Sequence, residues 1–347
     1  MSSSKTPINV AILGATGRVG QELIKVLEER KFPVKEFRAL ASARSKDSKV
    51  MFNGKEYSVQ EPSEEAFKGI DLVLASAGAD ISEKLAPLAV KQGACVIDNS
   101  NAFRMDPSVP LVVPEVNGEA LKQHKGIIAN PNCSTAQLVV VLKPLHDAAG
   151  LKRVIVSTYQ SVSGAGKEAM EELELQTKAI SNGGEYKPQV FQHQIAYNLI
   201  PHIDKFLPNG YTKEEMKVVQ ETQKILGLSD LPVTCTAVRV PVVISHSESV
   251  LVELEKELSP EKAQDILAKS PAVEVVDNPS EALYPTPLEA AGKDPVYVGR
   301  IRVDTSSKNG LNMWVVADNL RIGAALNAVR IAEYMLEHNL IRSMVNA

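Results

Sequence analysis

One cysteine, one histidine and a few charged residues in apolar surroundings are the groups in this chain best placed to do chemistry. Cys133 lies in Ile127-Ile-Ala-Asn-Pro-Asn-Cys-Ser-Thr-Ala-Gln-Leu, between a strand-like apolar run and an amphipathic helix. A thiol at a helix N-terminus meets backbone N–H groups and the positive end of the helix dipole, which favour the thiolate. The same groups can hold an oxyanion formed when that thiolate attacks a carbonyl. Asn132, Ser134 and Thr135 add short polar side chains suited to a cap. Taken alone, the position suits a small packed residue as well as a nucleophile.

A nucleophilic thiol needs a proton carrier and something to grip its substrate. Of the six histidines, His124, His146, His193 and His338 lie in polar or helical contexts that suit solvation or packing, and His202 follows Pro201 in a loop. His246 comes after the strand-like run 237–245, near a strand end, where imidazole can act as acid or base close to neutral pH. A structural histidine is the plainer local reading. Arg239 sits inside an apolar strand and needs an anion, which is met equally well by a substrate carboxylate or an internal ion pair. Arg104 and Lys217 are further candidates for anion binding, although Glu214 and Lys217, three residues apart on a helix, read by default as a solvated pair.

The elements that must position these groups change in texture along the chain. Up to about residue 150, strands (8–13, 37–41, 70–76, 95–98, 126–130) alternate with helices (to residue 30, and 83–92), which argues for a parallel doubly wound sheet. Beyond it, longer and partly alternating strands at 153–160, 234–243, 250–255 and 296–303 point to a second, α+β domain on a mainly antiparallel or mixed sheet. A long amphipathic helix beginning at Asn319 is expected to return to the first domain. Its small residues Gly323, Ala324 and Ala325 permit close approach to a sheet or ligand. The division expected is 1–132 plus 318–347, and 133–317.

A length of 347 residues accommodates two such domains, and a hydrophobic fraction of 44% is enough to give each a core. A net charge of -4 without basic runs gives no reason to expect nucleic acid or a membrane surface. Three scattered cysteines are too few for a disulfide framework or a zinc site, so no metal is expected. Cys95 and Cys235 fall in strand-like runs and read as core residues. The polar N-terminus lacks a secretory apolar stretch, and no run reaches membrane-spanning length; a cytoplasmic protein is expected.

Gly14, Gly17 and Gly20 follow the first strand directly and precede a helix. That context suits a tight turn that lets a phosphate approach backbone at a helix N-terminus, as in dinucleotide sites. The second strand ends in Ala39-Leu-Ala-Ser-Ala-Arg-Ser, without the acid that holds the ribose diol of NAD. Ser42, Arg44 and Ser45 offer hydroxyls and a cation for a 2′-phosphate, so NADP is expected; a solvated Arg44 beside Lys46 and Lys49 is the competing view. Ser163-Gly-Ala-Gly, after Gln160, is a second flexible loop that either approaches a nicotinamide or turns a corner.

Together these motifs resemble the aspartate-β-semialdehyde dehydrogenase family. Val10-Ala-Ile-Leu-Gly-Ala-Thr-Gly, Asn130-Pro-Asn-Cys-Ser-Thr, Tyr159-Gln-Ser-Val-Ser-Gly-Ala-Gly, Arg239-Val-Pro-Val, His246-Ser-Glu and Asp318-Asn-Leu-Arg-Ile-Gly-Ala-Ala occur in the family's order across nearly the whole chain. The resemblance implies reductive dephosphorylation of aspartyl 4-phosphate to aspartate 4-semialdehyde, in lysine, threonine and methionine biosynthesis. It implies Cys133 as nucleophile, His246 as acid/base and Gln160 as a residue orienting the acyl intermediate. Arg239 would meet the substrate α-carboxylate and Glu214 its amino group, while Arg104, Lys217 and Asn132 surround phosphate. Gly14, Thr16, Gly17, Arg18, Val19, Gly20, Ser42, Arg44, Ser45, Ser163, Gly164 and Asn319 would contact NADP. Subunits would pair through the second domain as a homodimer, with a tetramer still open. One departure is Ser245, where the family commonly has Gly; a positive φ there would strain Ser.

Overall fold

The computed structural model describes residues 6–45 and 47–341. The polar N-terminal stretch and Lys46 lie outside the described residues. Two compact units divide the chain: residues up to Asn132 with those from Ala324 onward, and Cys133–Gly323.

In the first unit, β1 (Ile8–Leu13), helix α1 (Arg18–Glu29), β2 (Val34–Leu40), β3 (Lys49–Phe52), β4 (Lys55–Ser58), β5 (Leu72–Ala75), α2 (Ala79–Lys91), β6 (Cys95–Asp98), α3 (Pro114–Asn117) and β7 (Ile127–Ala129) follow in order. Five of the strands make an all-parallel sheet in the order β2-β1-β5-β6-β7. β5 and β6 are buried along their whole length, as expected of parallel strands covered on both faces. Leu13 pairs with both Leu40 and Ala75, so the loop after β1 emerges between two strand ends.

Two features differ from the sequence reading. Helix α2 starts at Ala79, four residues before the expected 83, because Gly78 in extended conformation opens it. The β3–β4 hairpin is an addition. Its Asn53-Gly54 turn holds both residues at positive φ, 49° and 71°, as a tight hairpin turn requires. Phe52 stacks on Phe37 of β2 with centroids 4.5 Å apart, Tyr57 meets the same ring edge-on at 5.0 Å, and together they seat the hairpin there.

The second unit comprises α4 (Cys133–Ala149), β8 (Leu151–Gln160), α5 (Lys167–Ser181), α6 (Lys213–Leu226), β9 (Val233–Arg239), β10 (His246–Leu254), α7 (Pro260–Leu267), β11 (Val273–Val275), α8 (Pro287–Ala290), β12 (Val296–Val303) and β13 (Gly310–Ala317). Its six-stranded sheet runs β11-β12-β13-β10-β8-β9 and is mixed: β8–β9 and β11–β12 are parallel, the other pairs antiparallel. Helix α4 is buried without a break from Ser134 to Leu142 and packs on β8, β10, β12 and β13 as well as α6 and α7. A helix buried on every side cannot shift cheaply, so its first residue is well fixed.

Strand β9 stops at Arg239 rather than at 243, and β10 begins at His246 rather than at 250. Pro241 has no N–H to continue a ladder, and residues 240–245 form a connection instead. That connection anchors the segment after β8: Val162 donates to the carbonyl of Val242 at 2.9 Å and Ser163 to that of Val243 at 3.1 Å. β13 is a further strand beyond the sequence expectation. The expected helix from Asn319 is instead one π-helical turn, Arg321–Ala325, followed by α9 (Leu326–Glu337), which packs on α1, α3 and β6 of the first unit.

Candidate active site

Each unit carries one group of the candidate residues. In the first, Gly14 adopts φ +90°, and a Cβ there would fall 2.8 Å from the Ser76 hydroxyl. A Cβ on Gly20 would come within 2.2 Å of the Gly14 carbonyl oxygen. Glycine at both positions lets the loop fold against the start of α1. Gly17 is the N-cap residue, makes no side-chain cap, and no acid occupies the first turn. Positive dipole and backbone N–H groups are therefore left for an anion. Thr16, Gly17, Arg18, Ser42 and Arg44 are exposed, Val19 and Ser45 half-buried, and Thr16 bonds Ser45 side chain to side chain at 3.1 Å. The loop after β1 and the end of β2 thus form one polar rim.

Arg104 also belongs to the first unit. Its Nε donates to the Asn130 carbonyl at 2.9 Å and its Nη2 to that of Asn99 at 2.8 Å. Asn130 is braced by Asn327 of α9, whose Nδ2 donates to Asn130 Oδ1 at 2.7 Å. Arg104 is thereby fixed two residues before Asn132, which is itself buried.

In the second unit Cys133 is the first residue of α4 and is half-buried. Its sulfur stands at the positive end of a seventeen-residue helix. Gly323 faces it so closely that a Cβ there would lie 2.5 Å from Cys133 Cβ. Any side chain at 323 would push the Cys133 side chain aside.

His246 opens β10 and is fully buried. The main-chain N–H of Ser161 donates to its Nδ1 at 3.1 Å, and Ser161 Oγ lies 3.1 Å from the same atom. A backbone N–H can only donate, so Nδ1 is an acceptor and the neutral ring carries its proton on Nε2. Burial, and next the Arg239 cation, hold this imidazole well below the usual histidine range. A Cβ placed on Gly164 would come within 3.0 Å of Arg239 Nη1 and 3.2 Å of His246 Nε2, so glycine lets the 161–164 loop close over both. Asn319 ties that loop down. Its Oδ1 accepts from Ser161 Oγ at 3.1 Å, Ser163 Oγ at 3.1 Å and the Ser245 N–H at 3.0 Å.

Arg239, Gln160 and Glu214 form a buried polar row beside His246. Arg239 and Gln160 are direct partners across β9 and β8, and Arg239 Nη1 donates to the Ser161 carbonyl at 2.7 Å. Burial pulls the guanidinium down, opposed by the Glu214 carboxylate and by Cys133. Gln160 Nε2 donates to Glu214 Oε1 at 3.2 Å. Glu214 is placed by a capping box at the start of α6, in which Thr212 and Glu215 cap each other. Glu215 also accepts from Ala237 N–H of β9 at 3.0 Å, which pins that helix end to the sheet.

The Glu214/Lys217 pair is not the solvated face of the local reading: Glu214 is buried, and Lys217 bonds Glu214 at 3.2 Å and Asp204 at 2.8 Å. Burial lowers the Lys217 ammonium, but the two carboxylates outweigh it and hold the group above its usual range. Cys133, Gln160, Ser163, Gly164, Glu214, Lys217, Arg239, His246 and Asn319 therefore share one unit, while Gly14–Gly20, Ser42, Arg44, Ser45, Arg104 and Asn132 belong to the other. The sequence reading did not single out Ser161 or Asp204. Ser161 acts through its main-chain N–H and through a buried hydroxyl placed beside His246 and Asn319, a placement that residue type does not signal, and Asp204 lies in irregular chain.

The semialdehyde dehydrogenase NAD-binding domain model matches residues 9–124, and the semialdehyde dehydrogenase dimerisation domain model residues 142–322. Aspartate-semialdehyde dehydrogenase of Aquifex aeolicus is 56% identical over 336 residues, covering 96% of this chain and 99% of the relative. The chain belongs to the aspartate-semialdehyde dehydrogenase family. The Bacillus subtilis member is 52% identical over 342 residues, 96% of this chain and 99% of the relative. Among solved structures, aspartate semialdehyde dehydrogenase II of Vibrio cholerae complexed with ASA superposes with TM-score 0.93 at 49% identity, covering 96% and 99% of the two chains. The Candida albicans enzyme with NADP gives 0.77 at 27% identity, covering 96% and 100%. The family places an NAD(P)-binding domain in the first unit and a dimerisation domain in the second. Among the described residues, no helix is long and apolar enough to cross a membrane.

Proposed function

We propose that this chain catalyses the reversible, NADP-dependent reductive dephosphorylation of L-aspartyl 4-phosphate to L-aspartate 4-semialdehyde, in the cytoplasmic synthesis of lysine, threonine and methionine. The observation that carries the reading is Cys133 at the head of α4, in one unit with a buried imidazole whose proton is on Nε2 and a buried Arg239/Glu214 pair. Opposite charges side by side suit a substrate that bears both α-carboxylate and α-ammonium. The solved Vibrio cholerae relative with ASA supports that substrate.

The Cys133 thiolate attacks the acyl carbon of the acyl phosphate; a C–S bond forms and the C–O bond to phosphate breaks. Arg104, Asn132 and Lys217 bind the departing phosphate. Gln160, held by Glu214 and Thr158, orients the resulting thioester. NADPH, when bound, supplies the hydride that the thioester carbon accepts. The Nε2–H of His246 acts as the acid by hydrogen bond, holding the oxyanion of the tetrahedral species; as that oxygen re-forms its C=O the C–S bond breaks and Cys133 leaves as thiolate, releasing the aldehyde. The family's cofactor fits the residues present, because glycine at 14 and 20 lets the loop after β1 fold tightly against a helix end that has no side-chain cap and no acid in its first turn, leaving N–H groups for an anion. Gly14, Thr16, Gly17, Arg18, Val19 and Gly20 hold the pyrophosphate in this proposal. Ser42, Arg44 and Ser45 meet the 2′-phosphate, and Ser163, Gly164 and Asn319 the nicotinamide end. The absence of an acid after β2 supports NADP over NAD. Residues 1–132 with 318–347 are the cofactor domain in this reading, and 133–317 the catalytic domain, through which two copies pair; Tyr197, Leu199, Phe206 and Leu288 leave it with exposed apolar surface.

An acetylated amine carries no charge for Glu214, which favours the aspartyl compound over N-acetyl-glutamyl phosphate. The test is phosphate-dependent NADP⁺ reduction across a panel of aldehydes. Turnover is expected with aspartate semialdehyde and to require phosphate; a preference for another aldehyde, or turnover without phosphate, would reject the proposal.

A further inference from the structure

Glu248 follows His246 by two residues on β10, so both side chains leave the same face of the sheet. It is fully buried, paired with Thr158 of β8 and Val315 of β13. Gln137 is also fully buried and lies four residues after Cys133, one turn further along α4. Its Nε2 donates to the main-chain carbonyl of His246 at 3.5 Å. With the amide turned that way, Gln137 Oε1 and both Glu248 oxygens have no partner at hydrogen-bonding geometry, although the two side chains are hydrogen-bonding neighbours. Two facing acceptors can share a bond only if one carries a proton.

We propose that Glu248 is a positioning residue, its carboxyl O–H donating to Gln137 Oε1 so that the two side chains brace the first turn of α4, with Cys133, against the main chain of His246. Burial pushes this carboxyl well above the carboxylate range and outweighs the opposite pull that an amide N–H of Gln137 would exert on the ionised form. Few titratable groups face it. They are His246 on its own strand and Cys235 on β9, whose thiol is pushed up by burial and by Glu248, Glu215 and Glu214. β8 presents Thr158 and Gln160, and β13 presents Val315; none of these titrates in the accessible range. The inference rests on the functional reading above, in which Cys133 and His246 are the reacting groups.

The test combines stability with kinetics. A carboxyl kept neutral in the fold contributes stability that is complete below the ordinary value of 4.5 and is lost as pH rises toward the folded value. Glu248→Gln escapes that loss, so its denaturation midpoint relative to the wild type should climb steadily from pH 5.5 to 8.5. A flat or falling difference marks a carboxylate that is ionised in the fold and overturns the proposal. In kinetics, Gln137→Met and Glu248→Met, both close in volume, should each lower kcat by roughly ten-fold or more with KM within about two-fold. The double variant should be no slower than the slower single, and Glu248→Gln should restore most of kcat. Unchanged kcat in Gln137→Met, or a change confined to KM, overturns the brace even if Glu248→Met fails to fold. Wild-type turnover of aspartate semialdehyde, run in parallel, separates failure of the functional reading from failure of this one.

Discussion

The backbone N–H of Ser161 donates to Nδ1 of His246 at 3.1 Å and so fixes which ring nitrogen carries the proton. Nε2, directed toward the space beneath Gly164, is left as the donor. With burial holding the imidazole well below 6.5, the ring stays neutral across the physiological range. The folded pKa is depressed, so the associated stability is present above the unfolded value of 6.5 and lost as pH falls through the folded one. The pH profile of kcat should accordingly show no inflection near 6.5, with any loss from this group only well below it. An inflection at the ordinary histidine value, absent from His246→Gln, contradicts this state.

Gly323 and Cys133 are packed at the limit of contact. Gly323→Ala places a methyl 2.5 Å from Cys133 Cβ, and α4 is too tightly enclosed to retreat. A displacement of the sulfur approaching 1 Å should lower kcat on the order of 100-fold. NADP affinity, measured by fluorescence titration, should change little. Normal turnover in Gly323→Ala would show that the helix start is soft.

Ser245 adopts φ 78°, the condition under which serine is strained, and its buried hydroxyl lacks a partner. Ser245→Gly removes both costs at the expense of a more flexible unfolded chain, for a net stabilisation of about 1 kcal/mol. Equilibrium urea denaturation measures it. Activity should persist, since the N–H that bonds Asn319 remains.

Arg239 is buried between Glu214 and the Ser161 carbonyl. Arg239→Leu should lower kcat/KM for aspartate semialdehyde by about two orders of magnitude or more, the effect of losing one partner of a buried charge pair. The loss should be much smaller with an aldehyde that lacks the α-carboxylate. Equal losses on both substrates would reduce Arg239 to a structural role.

Much of this was legible in the chain because the informative groups sit at element boundaries that leave a pattern. The glycines after β1 and the cysteine before an apolar helix could be placed from spacing alone, and alternation after residue 150 revealed a mixed sheet. Where apolar runs cross a proline, periodicity failed: Pro241 separates β9 from β10, and His246 turned out to begin a strand. The Asn53-Gly54 hairpin was present as a turn signal but lay in a charged segment without alternation. Ser161, Gln137 and Glu248 were invisible for another reason. Their effect depends on backbone bonds and on burial, which a residue's type does not disclose.

The central claim is that an acyl group becomes covalently attached to Cys133. Incubating the enzyme with aspartate semialdehyde and NADP⁺ but no phosphate should let oxidation proceed and leave the thioester without its acceptor. Peptide mass spectrometry after an acid quench should then find an aspartyl adduct on Cys133, none on buried Cys95 or Cys235, and its loss when phosphate is added. NADP⁺ reduction without any adduct on Cys133 would contradict the account.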